Sequence, residues 1–378
     1  MNTEASNANK ATRLHWLDNL RTFTIFLVVL YHVGGVYEAA GLWGSFWIVD
    51  DPSTITWVGI IGIIFDIMVM PTMFFIAGYL ISPSLNSKTP LAFLKSKIRR
   101  LLLPWLLAVL TLIPLYKVIF LYSRGLPQEV WTNYFHFNNP NSQNWLWFLP
   151  VLFLFNVIYL LFSSTKFKRP VIPVKSWLWV VLFIGFVYSY SIGGWLGMRS
   201  WTLTPLLDFE NERLLIYFMA FLLGAGSFKQ GLFTNNPPKK LLYNITNGIA
   251  WIPVTLHIFA RLYPFFYPEN FSTTPMYRSI WWLSFDLSLL AMMYLMLGTF
   301  WRYFNKPSKL WVQLNQNSYG VYIIHVIMIG IFGTLLLNSG FPALVKYPAL
   351  IVLTYTFSNL AVMGYHQARK WVSGKNYG

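Results

Sequence analysis

The chain has no cysteine, only 12 acidic residues, and 11% charged side chains over 378 residues. Each shortage excludes something. Without cysteine there is no disulfide, no thiolate nucleophile and no cysteine-held metal. A soluble domain runs near 25% charged, so 28 basic and 12 acidic side chains are too few to clothe a water-facing surface of this size. Also missing are a phosphate-cradling glycine loop, a G-x-S-x-G elbow and a His-x-x-x-His metal pair. No metal site is expected, and any chemistry has to rest on histidine, hydroxyl and carboxylate groups.

What the chain does have is apolar length. It is 56% hydrophobic and 19% aromatic, with a mean hydropathy of +0.50. Apolar stretches fall at 15–37, 56–82, 101–122, 146–163, 173–193, 212–227, 242–261, 279–300, 318–338 and 347–366. At roughly 20 residues per crossing, these predict an all-α polytopic membrane protein of about ten transmembrane helices. The expected organisation is an N-terminal tail over 1–14, a ten-helix membrane domain over 15–366 and a C-terminal tail over 367–378. Asp18, Arg21 and His32 interrupt the first stretch, which therefore does not read as a secretory signal.

A net charge of +16 invites a nucleic-acid reading, but that needs a basic, aromatic-studded soluble face, and none is present. Position explains the charge better. Basic residues gather in alternate connectors, for example Lys88, Lys95, Lys97, Arg99 and Arg100, then Lys166, Lys168 and Arg169, then Arg302, Lys306 and Lys309. The acids Glu38, Asp50, Asp51, Glu129, Asp208, Glu210, Glu212 and Glu269 lie in the others. Positive residues stay inside, so both termini are expected in the cytoplasm. Trp43, Trp47, Trp57, Trp131, Trp145, Trp195 and Trp201 form a belt at the opposite interface. The long outer connectors, rich in Trp, Tyr, Pro and Asn, suit a sugar-like ligand or simply cap an outer cavity.

Charged groups inside spans are costly and by default mark function. Asp18 and Arg21 are spaced i,i+3 and can neutralise each other. His32 lies eleven residues beyond Arg21, which returns to within about 20° of the same helix face roughly 16 Å further along. Lys97 and Arg100 are also i,i+3, with Arg99 between them, and suit a phosphate clamp or an ordinary orientation signal. Ser318, Tyr322 and His325 share one face of a later helix, as a hydrogen-bond network between helices or as a site wall. Asp66 and Asp286 are isolated intramembrane acids, either proton-relay groups or partners for His32 or His325. His136, His257 and His366 receive no role.

Leu17-Asp18-Asn19-Leu20-Arg21 followed by His32 resembles the opening of integral-membrane acyltransferase family 3, in which an arginine and a histidine are separated by ten residues. Met70 to Gly78, Lys97 to Pro104, Trp147-Phe148-Leu149-Pro150 and Ser318 to His325 are similar to four later signatures of that family, in order over most of the chain. Met70-Pro71 and Pro114 look most like the subgroup that includes glucan succinyltransferases. Lys97 stands where that family usually has the first arginine of Arg-x-x-Arg.

The resemblance implies transfer of an acetyl or succinyl group from cytoplasmic acyl-coenzyme A to a hydroxyl of an extracytoplasmic sugar or glycan, in a bacterial inner membrane. It casts acyl-coenzyme A as a donor substrate, with no permanently bound cofactor. His32 would be the base, and Asp18 and Arg21 on its stripe would be catalytic with it. Lys97, Arg99 and Arg100 would bind the coenzyme, and Asp66, Trp147, Ser318, Tyr322 and His325 would line the site. A proton-coupled transporter or flippase of a glycan or lipid-linked intermediate is the competing reading, with Asp66, Asp286 and His32 as its proton path.

Overall fold

The computed structural model describes residues 14–39, 47–134, 143–163, 173–234, 238–267 and 274–372. Residues 1–13 and 373–378 of the two tails lie outside the described residues, as do Trp43, His136, Glu269 and the basic trio Lys166, Lys168 and Arg169.

In hydrocarbon every backbone N–H and C=O must be satisfied within its own segment, so long apolar runs have to be helical. The chain forms α1 (His15–Tyr37), α2 (Thr56–Tyr79), the short α3 (Ile81–Asn86), α4 (Pro90–Lys97) and α5 (Leu103–Ser123). It continues with α6 (Phe148–Ser163), α7 (Val174–Trp195), strands β1 (Trp201–Leu203) and β2 (Asp208–Glu210), and α8 (Leu214–Lys229). The last five helices are α9 (Lys240–Ile249), α10 (Trp251–Phe266), α11 (Pro275–Tyr303), α12 (Lys309–Leu337) and α13 (Ala343–Val372). Among the described residues nine segments are long and apolar enough to cross a bilayer, and α8 is a shorter tenth. The multi-pass, all-α reading therefore holds.

Several spans are longer than their apolar cores because polar ends continue the helix. One runs Pro90–Ser123 and another, as α9 and α10, Lys240–Phe266. Helix starts follow local chemistry. Thr89, Thr274 and Ser308 accept the N–H groups of Ala92, Tyr277 and Trp311, with Pro90 and Pro275 in the first turns of α4 and α11. A π-turn, Ile98–Leu102, joins α4 to α5. Its cause is Pro104, which cannot donate to the Arg100 carbonyl. That carbonyl accepts the Tyr319 hydroxyl instead, at 2.6 Å, and so ties this helix to α12.

Helix α1 packs against α2, α11, α12 and α13 and forms the middle of the bundle. Where it begins, Asn315 donates to Asn19 at 2.9 Å and Thr22 donates to Asn315 at 2.5 Å. Helices α2 and α8 interlock through glycines. A Cβ on Gly78 would lie 1.9 Å from the Phe221 carbonyl oxygen, and one on Gly224 would lie 2.1 Å from that of Phe75. Small residues allow such close backbone approach in membranes.

The end of the bundle opposite the start of α1, here the far end, is covered by ordered connectors. The Ile55 N–H donates to the Tyr37 carbonyl at 2.7 Å, and β1 pairs antiparallel with β2, Trp201 facing Glu210. A buried ion pair, Lys346 to Asp51 at 2.9 Å, fastens the 47–55 connector to α13. Arg124 donates to the Trp47 carbonyl at 2.8 Å and stacks on Phe120 at 3.9 Å.

Candidate active site

Towards the far end, α1, α2, α8, the β1–β2 hairpin and the turn before α6 enclose a cavity of about 330 Å³. Its walls are aromatic (Tyr31, Trp47, Phe65, Trp145, Trp147, Trp201, Tyr217), with Asp66, Asp208, Glu210, Asn144 and His32 as the polar groups. Among the described residues no lysine or arginine lines it. The aromatic shell is self-bracing: Trp147 meets Trp201 edge-on at 5.8 Å and stacks on Tyr217 at 6.1 Å.

His32 is fixed on three sides. Its ring lies parallel to Trp47, centroids 5.3 Å apart. Its Nδ1 is 2.9 Å from the Val28 carbonyl and 3.0 Å from Nε2 of His325. His325 is fully buried, and its Nδ1 is 2.7 Å from the Tyr322 carbonyl. A carbonyl only accepts, so His325 Nδ1 carries the proton and its Nε2 is an acceptor. In the neutral pair His32 Nδ1 must then be the donor, to Val28 and His325. The lone pair of His32 is thereby assigned to Nε2. Tyr322 is held in turn by donating to the Trp145 carbonyl at 2.6 Å, and Trp145 Nε1 donates to the Ile323 carbonyl at 3.0 Å.

Asp66 is not the partner of either histidine. Its two oxygens accept Nη1 and Nη2 of Arg213 at 2.8 and 2.9 Å. Nε of Arg213 lies 3.3 Å from Glu210, and the guanidinium sits 4.5 Å over Phe285. The acids on the hairpin side are also shaped by burial. Burial raises the Asp208 carboxyl to about 6, against the lowering effect of backbone donors at Thr204 and Gln143. Burial likewise raises Glu212.

The other expected residues divide clearly. Trp147 and Asp66 line the cavity, His325 meets His32, and Tyr322 reaches the site only through Trp145 and His325. Asp18 and Arg21 do pair, at 3.7 Å, but about three turns down α1, where Arg21 donates to the Asn315 carbonyl. Ser318 also donates to the Asn315 carbonyl, at 3.1 Å, which is a helix-internal role. Arg99 and Arg100 are exposed and Lys97 is half-buried over Phe93 at 5.1 Å. The π-turn breaks the 3.6-residue phase that put Lys97 and Arg100 on one stripe, although their charges still act on each other. Beside them is a polar hollow of about 360 Å³, lined in part by Ser82, Asn86, Lys88, Tyr159, Ser163 and Lys229. Asp286 is buried against Gly185 and touches neither histidine. The sequence reading missed Arg213, Trp47 and Trp145 as site-builders. Only their place beside outer connectors hinted at them.

Fold and cavity together define a multi-pass helical membrane protein in which His32 lines an aromatic chamber and is backed by the buried His325. A family model described as an acyltransferase domain matches residues 14–363. That is nearly the whole chain, so the protein belongs to this family of membrane acyltransferases, as the motif order implied. A search of the curated proteins finds no match to the chain.

Proposed function

We propose that the protein transfers an acyl group from cytoplasmic acyl-coenzyme A to a sugar hydroxyl on the other side of a bacterial inner membrane, with His32 as general base. The observation that carries this reading is the tautomer chain from Tyr322 through His325, which puts the ring lone pair on Nε2 of His32, a residue of the cavity wall. His32 Nε2 takes the proton of the acceptor hydroxyl as its oxygen attacks the thioester carbonyl. The tetrahedral intermediate collapses, the C–S bond breaks, and the coenzyme thiolate recovers the proton from the imidazolium. The hydrogen bond from His32 Nδ1 to the Val28 carbonyl favours the transient positive charge on His32. The aromatic walls suit stacking against a sugar ring.

The near end, where α1 starts, carries the features for the donor. Lys88 and Lys229 line a polar hollow there, the Lys88 and Arg100 charges reach Lys97, and these cations with Arg99 suit the coenzyme phosphates. Basic-residue asymmetry supports a cytoplasmic near end, with both termini there. His32→Ala is expected to keep donor binding and folding while lowering turnover by roughly 10²-fold or more. Sealed vesicles of known orientation test polarity. Product should form with acyl-coenzyme A on the near side and a membrane-impermeant glycan on the far side. Near-normal turnover of His32→Ala, or product only when both substrates share the near side, would overturn the proposal.

A further inference from the structure

Acyl transfer as described leaves a cluster of far-end arginines without a task. Arg213 is matched by Asp66 and Glu210. Arg261, on α10, is only 4% exposed, and its Nε and Nη1 have no acceptor among the described residues. It lies 5.1 Å over Trp281, one turn past the buried His257, whose Nε2 is likewise without a partner. The charged and titratable groups whose fields reach Arg261 include Arg199, Asp66, Arg213 and Tyr31. Asp66 is the single acid among them, and both its oxygens are already bound by Arg213.

Arg199 gives an independent sign. Its Nε is buried without an acceptor, and its backbone has φ +61°. A non-glycine residue in the left-handed region is uncommon and clusters at ligand sites. A guanidinium does not escape burial by losing its proton, so a buried arginine calls for an anion.

We propose that Arg199 and Arg261 form an anion-binding subsite that takes a carboxylate or phosphate group carried by one of the two substrates. Tyr31 and Asp66 belong both to the cavity wall and to the surroundings of Arg261, which sets the subsite beside the reacting centre. The planar guanidinium fork fits a two-oxygen anion. The group has two sources of the same chemistry: a dicarboxylic acyl chain on the donor, or an acidic acceptor glycan. The choice of source rests on the acyl-transfer reading above; anion binding itself does not.

Binding is therefore tested first, without turnover. Thermal unfolding of the purified protein is followed with succinate or inorganic phosphate at matched ionic strength, because a native-state ligand must stabilise. Either probe should raise the Tm of the parent, and Arg261→Gln and Arg199→Gln should lose at least half of that rise. If Arg261→Gln does not fold, Arg261→Lys and Arg199→Gln carry the same comparison. No rise in the parent, or an undiminished rise in the variants, would overturn the subsite. Steady-state kinetics then name the source. A KM increase of at least tenfold confined to succinyl-coenzyme A, with acetyl-coenzyme A unaffected, assigns the donor. One confined to an acidic glycan, with a neutral glycan unaffected, assigns the acceptor. Equal effects on all four substrates would refute recognition of a substrate anion.

Discussion

Replacing His325 separates the tautomer argument from a merely structural reading of the histidine pair. In His325→Leu the His32 Nδ1–H keeps the Val28 carbonyl at 2.9 Å but loses the imidazole acceptor at 3.0 Å. The remaining carbonyl still favours the same tautomer, so the loss should fall well short of the ~10⁴-fold seen when a base is held in the wrong one. What disappears is a hydrogen bond that strengthens as imidazolium forms. Bonds to charged groups contribute about 1.5–3 kcal/mol, which converts to roughly 10- to 150-fold in kcat. KM for acyl-coenzyme A should stay near that of the parent, because the cations proposed to hold the donor lie at the other end of the bundle. His325→Gln presents a side-chain oxygen that can accept, so it should retain more activity than His325→Leu. His32→Ala combined with His325→Leu should be no worse than His32→Ala alone, since the two act as a unit. Initial rates in proteoliposomes decide this, with Tm measured alongside to confirm folding. A kcat within twofold of the parent for His325→Leu, or fully multiplicative losses in the double variant, would refute the relay.

Three further outcomes follow from the same geometry. Asp208 holds its proton more tightly folded than unfolded, with its carboxyl raised to about 6 by burial, so stability is lost as pH rises from about 4 to about 6; Asp208→Asn should raise Tm over the parent at pH 7 but not at pH 4.5. Gly78→Ala on α2 would force a Cβ against the Phe221 carbonyl, whereas a Cβ on Gly226 of α8 would meet no heavy atom within 4 Å. Gly78→Ala should thus cost about 1–3 kcal/mol or more and Gly226→Ala almost nothing, read as Tm in one detergent. Lys346→Met leaves the buried Asp51 carboxylate unpaired and should cost about 3–5 kcal/mol, while adding Asp51→Asn should restore much of the loss.

The bundle was legible because its rule is simple: apolar runs of membrane length must be helices. Span positions at 15–37 and 146–163 closely match α1 and the turn-plus-α6 segment. Compound spans were less legible, since polar first turns such as Pro90 to Lys97 do not score as apolar, yet the helix runs through them. The π-turn was invisible to a 3.6-residue count. Its cause, a proline deprived of its N–H, acts through a tertiary hydrogen bond from Tyr319 that no local pattern reveals.

The site was legible along a helix and illegible between helices. Periodicity put Tyr322 and His325 on one face, and the depth of His32 marked it as costly and therefore purposeful. Pairing was another matter. An isolated intramembrane acid was expected to seek a histidine, but Asp66 took Arg213, reaching in from the start of α8. Electrostatics favours that choice: a guanidinium offers two parallel donors to a carboxylate and stays charged under burial, while an imidazole offers one donor and can be neutral. Once Asp66 is occupied, the histidines are left to each other, and a pair of neutral imidazoles has only one consistent proton arrangement against the Tyr322 and Val28 carbonyls. The same stripe that carries His32 carries Arg21 roughly 16 Å down the axis, bound to Asn315 and Asp18. Arg21 thus sets how α1 sits against α12, and His325 is on α12. The arginine and histidine of the opening motif are joined through helix placement, which holds the two rings at 3.0 Å without any contact between the motif residues themselves.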